Sequence, residues 1–247
     1  MLELSADTQV DLRGSGVRHG RGLFETIRVQ AGEPCWLELH LERLAGGCAF
    51  LGIAPPPQAA TVRAFLSTHG ECARVGQGVL RLIAADNFLR VFVEPLPSAL
   101  PASVGLGRSL ETVRFSGNPL NRFKTLSYLE NLRLTEEARS RGLFEVLALN
   151  ERGHLCDGGR TSVFVVLGGN AWTPPVGDGA LPGVARRVLL EAGLAAEATL
   201  TWSDVEGAEG IFLANALRGV IPVDRVEEGR LLERAHPQVL RAAGLLI

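Results

Sequence analysis

Residues 23–47, LFETIRVQAGEPCWLELHLERLAGG, read as a strand, a turn and a helix in immediate succession. Thr26, Ile27 and Val29 are β-branched and favour a pleated strand over 23–30. Ala31-Gly32-Glu33-Pro34 then reads as a turn, since glycine and proline punctuate regular structure. Over 37–45, Leu37, Leu41 and Leu44 recur at helical spacing, and Gly46-Gly47 is expected to stop the helix.

The same alternation continues outward. Residues 58–68 read as a second helix, and 79–84 and 88–94 as strands flanking an Asp86-Asn87 hairpin turn. Residues 95–107 hold three prolines, and no charge falls between Glu94 and Arg108. That texture predicts an inter-domain connection. The expected division is a smaller domain over 1–100, a connection over 101–120 and a larger domain over 121–247. In the last, helices are expected near 127–141 and 184–193, and strands at 145–149, 162–166 and 210–214. Elements of both kinds in two halves predict a two-domain α+β or α/β protein.

Composition narrows the function. With 46% hydrophobic and 21% charged residues the chain reads as a globular protein. A net charge of −2 gives no electrostatic case for nucleic acid or an anionic membrane. No apolar run approaches membrane-spanning length, and the N-terminus has acids where a secretion signal needs bases, so a cytoplasmic location is expected. Cys35, Cys48, Cys72 and Cys156 are scattered without a C-x-x-C pair, which argues against a zinc site or a disulfide framework.

Among 25 lysines and arginines, Lys124 is the only lysine. Arginine stays protonated, whereas a lysine amine can lose its proton, attack a carbonyl and form a Schiff base. Lys124 is therefore the first candidate catalytic residue.

Five strings in order carry a resemblance. They are GRGLFETIR (20–28), HLERL (40–44), KTLSYLEN (124–131), GHLCDGGRTSVF (153–164), and LPGVARR (181–187) with IFLANALRGVIPV (211–223). Together they resemble the class IV aminotransferases, the fold type IV pyridoxal phosphate enzymes, a D-amino acid aminotransferase-like fold. The resemblance implies pyridoxal 5'-phosphate as cofactor, a small-molecule amino substrate, and a homodimer with the cofactor between two domains. It implies that Lys124 is the Schiff-base lysine and that Arg43 clamps the phosphate, a task that suits guanidinium geometry. Tyr128 would touch the cofactor's ring oxygen. Val184 and Ala185 would offer amides at a helix N-terminus, and Asn215 and Ala216 would form a second phosphate-side turn. Asp157 would pair with the pyridine nitrogen where the family usually has glutamate. Ser162 and Ala185 are further departures, standing where asparagine and threonine are common. His40 reads as a buttress of its helix, and Arg21 and Arg160 as candidate cations for a dicarboxylate.

Within the family, the chain's length, the 211–223 segment and Thr26 lean towards aminodeoxychorismate lyase. Thr26 would assist proton delivery as an enolpyruvyl group leaves; as a strand residue chosen for β propensity it reads equally well. The alternatives are a D-amino acid or branched-chain aminotransferase, and a non-catalytic relative on the same fold.

Overall fold

The structure, a computed structural model, describes residues 1–7, 9–69, 76–86 and 88–246. The chain divides into two units, Met1–Ser98 with Phe123–Tyr128, and Ala99–Arg122 with Leu129–Ile247.

The first unit runs β1 (Glu3–Ser5), α1 (Ser15–His19), β2 (Gly22–Gln30), β3 (Glu33–Pro34), α2 (Leu37–Leu51), α3 (Ala59–Thr68), β4 (Gln77–Ala85) and β5 (Phe88–Glu94). Its sheet has the order β1-β5-β4-β2-β3, antiparallel except for β1 beside β5. Alternation along β2 turns Leu23, Ile27 and Val29 into a core shared with Leu37, Leu41 and Leu44 of α2 and Leu80 and Leu82 of β4. The expected hairpin is present, with Ala85 opposite Phe88. Asn87, at its turn, lies outside the described residues, as does Cys72.

Two expectations fail here for physical reasons. Gly46-Gly47 does not stop α2, which continues to Leu51 and ends at Gly52 with φ 65°. A Cβ on Gly47 would lie 2.6 Å from a Leu23 methyl, so the missing side chain lets strand and helix close up. That packing offsets the roughly 1 kcal/mol helix penalty of a glycine. The lysine segment, expected in the second domain, instead clusters with the first unit. Phe24 N–H donates to Lys124 C=O (2.9 Å) and Leu126 N–H to Gly22 C=O (2.9 Å), while the Phe123 ring stacks on Phe50 at 4.6 Å. Two backbone bonds and one ring contact leave no periodicity for a sequence reading to find.

The second unit runs β6 (Gly105–Arg114), α4 (Leu129–Ser140), β7 (Glu145–Asn150), β8 (Leu155–Gly158), β9 (Ser162–Leu167) and β10 (Asn170–Thr173). There follow α5 (Val184–Glu191), β11 (Ala196–Glu197), α6 (Trp202–Gly207), β12 (Gly210–Asn215), β13 (Gly219–Pro222), β14 (Arg225–Val226), β15 (Arg230–Leu231) and α7 (Pro237–Leu245). Two sheets result, β11-β10-β9-β12-β13 and β15-β14-β6-β7-β8. Leu106, Leu147, Val163, Val165 and Leu213 bind them through one core. β6 and β7 are parallel neighbours, with α4 between them in the chain. The connection expected over 101–120 is thus occupied by β6 from Gly105 onward.

Candidate active site

In the first unit the start of β2 holds the lysine. A Cβ on Gly22 would lie 2.6 Å from a Leu126 methyl, so only glycine lets the lysine segment lie along the strand. Lys124 Nζ sits 4.2 Å over the Phe24 ring and 4.7 Å from the Tyr128 ring centroid. It lies 3.4 Å from the Tyr128 hydroxyl. The two rings meet edge to face at 4.9 Å. Cation–π attraction to both faces holds the half-buried amine in place.

Beneath it, Glu25 takes a core-facing position of β2 with its side chain 1% exposed. Arg43 grips it with two parallel bonds, Nε to Oε1 (2.8 Å) and Nη2 to Oε2 (2.6 Å). His40 Nδ1 meets the same Oε2 at 2.7 Å. Burial alone would raise the Glu25 carboxyl, but the Arg43 charge and the His40 and Arg43 hydrogen bonds outweigh it and hold the group at about 2. Burial pushes His40 down, against the pull of Glu25.

Thr26 points to the opposite face of β2, as Phe24 does two residues earlier. Its Oγ1 accepts a hydrogen bond from Arg81 Nη1 (2.6 Å), and Arg81 also donates to Glu94 (2.8 Å). The cross-strand register puts Arg28 and Arg90 on that face as well.

In the second unit Asp157 stands at the end of β8, buried. Arg114 Nη1 bonds its Oδ1, while its Oδ2 accepts the Leu181 amide at 2.8 Å. The same guanidinium donates to Glu130 of α4 (2.6 Å). Burial pushes the Asp157 carboxyl up, opposed by the Arg114 charge and the Leu181 amide. Leu181 leads directly to Gly183 and α5. The first amides of that helix, Val184 and Ala185, have no acceptor within the helix itself. Ser162 Oγ comes close enough to Gly183 that a Cβ there would meet it at 3.1 Å. Ser162 pairs with Ala214, which brings Asn215 and Ala216 to the same end of β9 and β12. Asn215 Oδ1 accepts the amides of Leu217 (3.1 Å) and Arg218 (2.8 Å), so its side chain shapes the turn.

Behind Asp157 lies a second buried acid. Glu145 accepts from the Gly159 and Arg160 amides (3.2 Å each) and from Thr161 Oγ1 (3.0 Å). Burial pushes its carboxyl up to about 7, with the Arg160 charge and those three donors opposing. The folded chain therefore keeps a proton that the unfolded chain releases above pH 4.5. Stability from this group is complete below that pH and is lost as pH rises to about 7, on the order of 3 kcal/mol over the window. Glu145→Gln is expected to flatten that part of the curve. Urea unfolding at pH 4.5 and 7.5 checks it, an undiminished slope in the variant being the contrary result.

Several residues stand where the sequence did not lead. Arg21 donates to Leu51 C=O (2.7 Å) at the end of α2, and Arg160 to Phe144 C=O (2.7 Å). Both candidate substrate cations thus serve backbone carbonyls. Glu25, Arg81 and Arg114 went unread. Glu25 had a signal, an acid at a core position of an otherwise apolar alternation. Arg114 had none, since its partner Asp157 is 43 residues away.

Each unit offers groups that suit part of a pyridoxal phosphate molecule. The first has an amine held between rings and a guanidinium fixed by one edge, and the second a buried carboxylate and a helix N-terminus. A sequence model described as "Amino-transferase class IV" matches residues 22–226. The chain is 26% identical to a bifunctional aminodeoxychorismate lyase / D-amino acid transaminase of Mycobacterium tuberculosis, over 92% of this chain and 87% of that protein. It is also 26% identical to the aminodeoxychorismate lyase of Bacillus subtilis, over 86% and 80%. A fold IV transaminase of Curtobacterium pusillum superposes with a TM-score of 0.83 at 24% identity, over 97% of this chain and 88% of that one. With the matched model spanning both units and every motif in order, the chain belongs to the class IV aminotransferases, a family of pyridoxal phosphate-dependent enzymes of fold type IV.

Proposed function

We propose that the chain is a pyridoxal phosphate-dependent lyase that converts 4-amino-4-deoxychorismate into 4-aminobenzoate and pyruvate. The observation that carries this reading is Thr26. Its oxygen accepts from Arg81, which leaves the hydroxyl's proton to be donated elsewhere, and it shares a strand face with the Phe24 ring under Lys124.

Bound pyridoxal phosphate supplies a carbonyl for the substrate's amino group and a ring that holds an electron pair. Lys124 would hold the cofactor, and its amine would take the proton from the substrate carbon bearing nitrogen. Tyr128 and Phe24 orient that amine. Arg43, the Val184 and Ala185 amides and the turn at Asn215 and Ala216 bind the phosphate, and Asp157 pairs with the ring nitrogen. Thr26 delivers a proton to the departing enolpyruvyl group. The substrate's two carboxylates suit a face bearing Arg28, Arg81 and Arg90. Product aromatisation supplies the driving force.

The test is pyruvate release from 4-amino-4-deoxychorismate with no 2-oxo acid added. Thr26→Val is expected to lower kcat about 10²-fold with cofactor affinity unchanged. A strict requirement for a 2-oxo acid would mark an aminotransferase instead. The same reading makes the protein a cytoplasmic homodimer. Its support is the exposed apolar set Leu110, Val113 and Phe115 at β6 and Leu129 and Leu132 on α4. Among the described residues no helix is long and apolar enough to cross a membrane.

A further inference from the structure

Glu145 opens β7 with its side chain fully buried, and its ion-pair partner, the half-exposed Arg160 guanidinium, stands 4.0 Å away. Burying an acid so loosely paired is costly. Its hydrogen bonds show what the acid does, for they run into the turn that joins β8 to β9. Oε1 accepts the Gly159 amide, and Oε2 accepts the Arg160 amide and the Thr161 hydroxyl. Successive backbone N–H groups aimed at one anion form a concavity that holds it. Glycine makes the fit possible. A Cβ on Gly158 would lie 2.6 Å from Glu145 Cδ, and one on Gly159 would lie 2.6 Å from the Asn131 carbonyl oxygen.

The same turn has a second connection. The Arg160 carbonyl lies between the anchored Arg160 amide and the anchored Thr161 side chain, and it accepts Asn215 Nδ2 at 3.3 Å. Asn215 Oδ1 accepts the Leu217 and Arg218 amides. The side-chain amide of asparagine is planar, so its nitrogen and oxygen ends turn together. The direction of the Arg160 carbonyl therefore sets how Asn215 meets the 215–218 turn. Glutamine at 145 cannot replace the acid, since it offers one acceptor oxygen and its NH2 would face a backbone N–H.

We propose that Glu145 is a positioning residue of the cofactor site, fixing the β8–β9 turn so that the Arg160 carbonyl holds Asn215, and with it the 215–218 turn, in the orientation that receives the phosphate. This rests on the reading of the turn at Asn215 and Ala216 as a phosphate contact. Glu145 touches no part of the cofactor itself. Its loss weakens recognition of the phosphate, passes through Asn215, and leaves recognition of the rest of the cofactor alone.

The experiment measures dissociation constants of the apoprotein for pyridoxal 5'-phosphate and for unphosphorylated pyridoxal by equilibrium dialysis, above pH 7, where Glu145 is ionised. Wild type should prefer the phosphorylated form. Glu145→Gln is expected to lose about tenfold of that preference, the worth of one hydrogen bond to a charged group, with pyridoxal affinity changed less than about twofold. Asn215→Ala should lose as much, and adding Glu145→Gln to it should cost no more. A merely structural Glu145 would weaken both ligands alike, or would add its loss to that of Asn215→Ala. Either result overturns the proposal, as does an unchanged ratio. Should Glu145→Gln fail to fold, Glu145→Asp keeps the charge but falls a methylene short of the turn, and a preserved phosphate preference there overturns the proposal equally. Wild type without the preference, or Asn215→Ala with it intact, would remove the phosphate reading of the 215–218 turn, a distinct outcome that takes the proposal with it.

Discussion

Lys124→Ala is expected to lower kcat for pyruvate release by about 10⁴-fold or more, and Lys124→Arg by as much. Arginine keeps the positive charge over Phe24 and Tyr128. It cannot lose a proton near neutral pH, so it can neither attack a carbonyl nor act as the base. The pair of variants therefore separates chemistry from charge. Loss in alanine but not in arginine would mean that the site needs only a cation there. Because the chain has one lysine, the attachment can be read directly. Borohydride treatment with pyridoxal phosphate should add one mass increment on the peptide containing Lys124, and none in either variant. Full pyruvate release by Lys124→Ala would remove the proposed mechanism.

Arg114→Met is expected to destabilise the second unit by about 3–5 kcal/mol, because it strands a buried carboxylate. Asp157 Oδ1 would lose its guanidinium and keep only the Leu181 amide on Oδ2, in a site whose burial already pushes the carboxyl up. Glu130, nearer the surface, would lose its partner at smaller cost. Met fills the stem's volume, so the loss reports the charge rather than a cavity. Asn at 157 removes the stranded charge, and Arg114→Met with Asp157→Asn should regain much of the loss. Chemical denaturation of the two variants gives both numbers. If the double variant is no more stable than the single, the ion pair is not what matters at this position.

The fold was legible where a segment was long and periodic. The nine residues of β2 and the fifteen of α2 each announce their period. Gly46-Gly47 misled because a sequence shows a missing side chain but not what comes close in its place, here Leu23. Strands of two residues, such as β3 and β11, are too short to carry any alternation. At the site, the motifs named residues without their couplings. Arg43 was named for phosphate; that Glu25 holds it by one edge depends on how α2 lies against β2. The same holds for Arg114, fixed by pairing among β6, β8 and α4 across gaps no local pattern spans.

Among the described residues, the outermost strands of all three sheets are short. β1, β3, β11, β13, β15 and β8 have two to four residues each. Pro34 and Pro222 interrupt two of them, and Leu155 of β8 already donates outward to Leu200. A foreign strand arriving at any of these borders finds one or two hydrogen bonds to make before the template ends. The chain, nearly half apolar in composition, is thereby shielded from edge-to-edge fibril growth by its borders rather than by its charge.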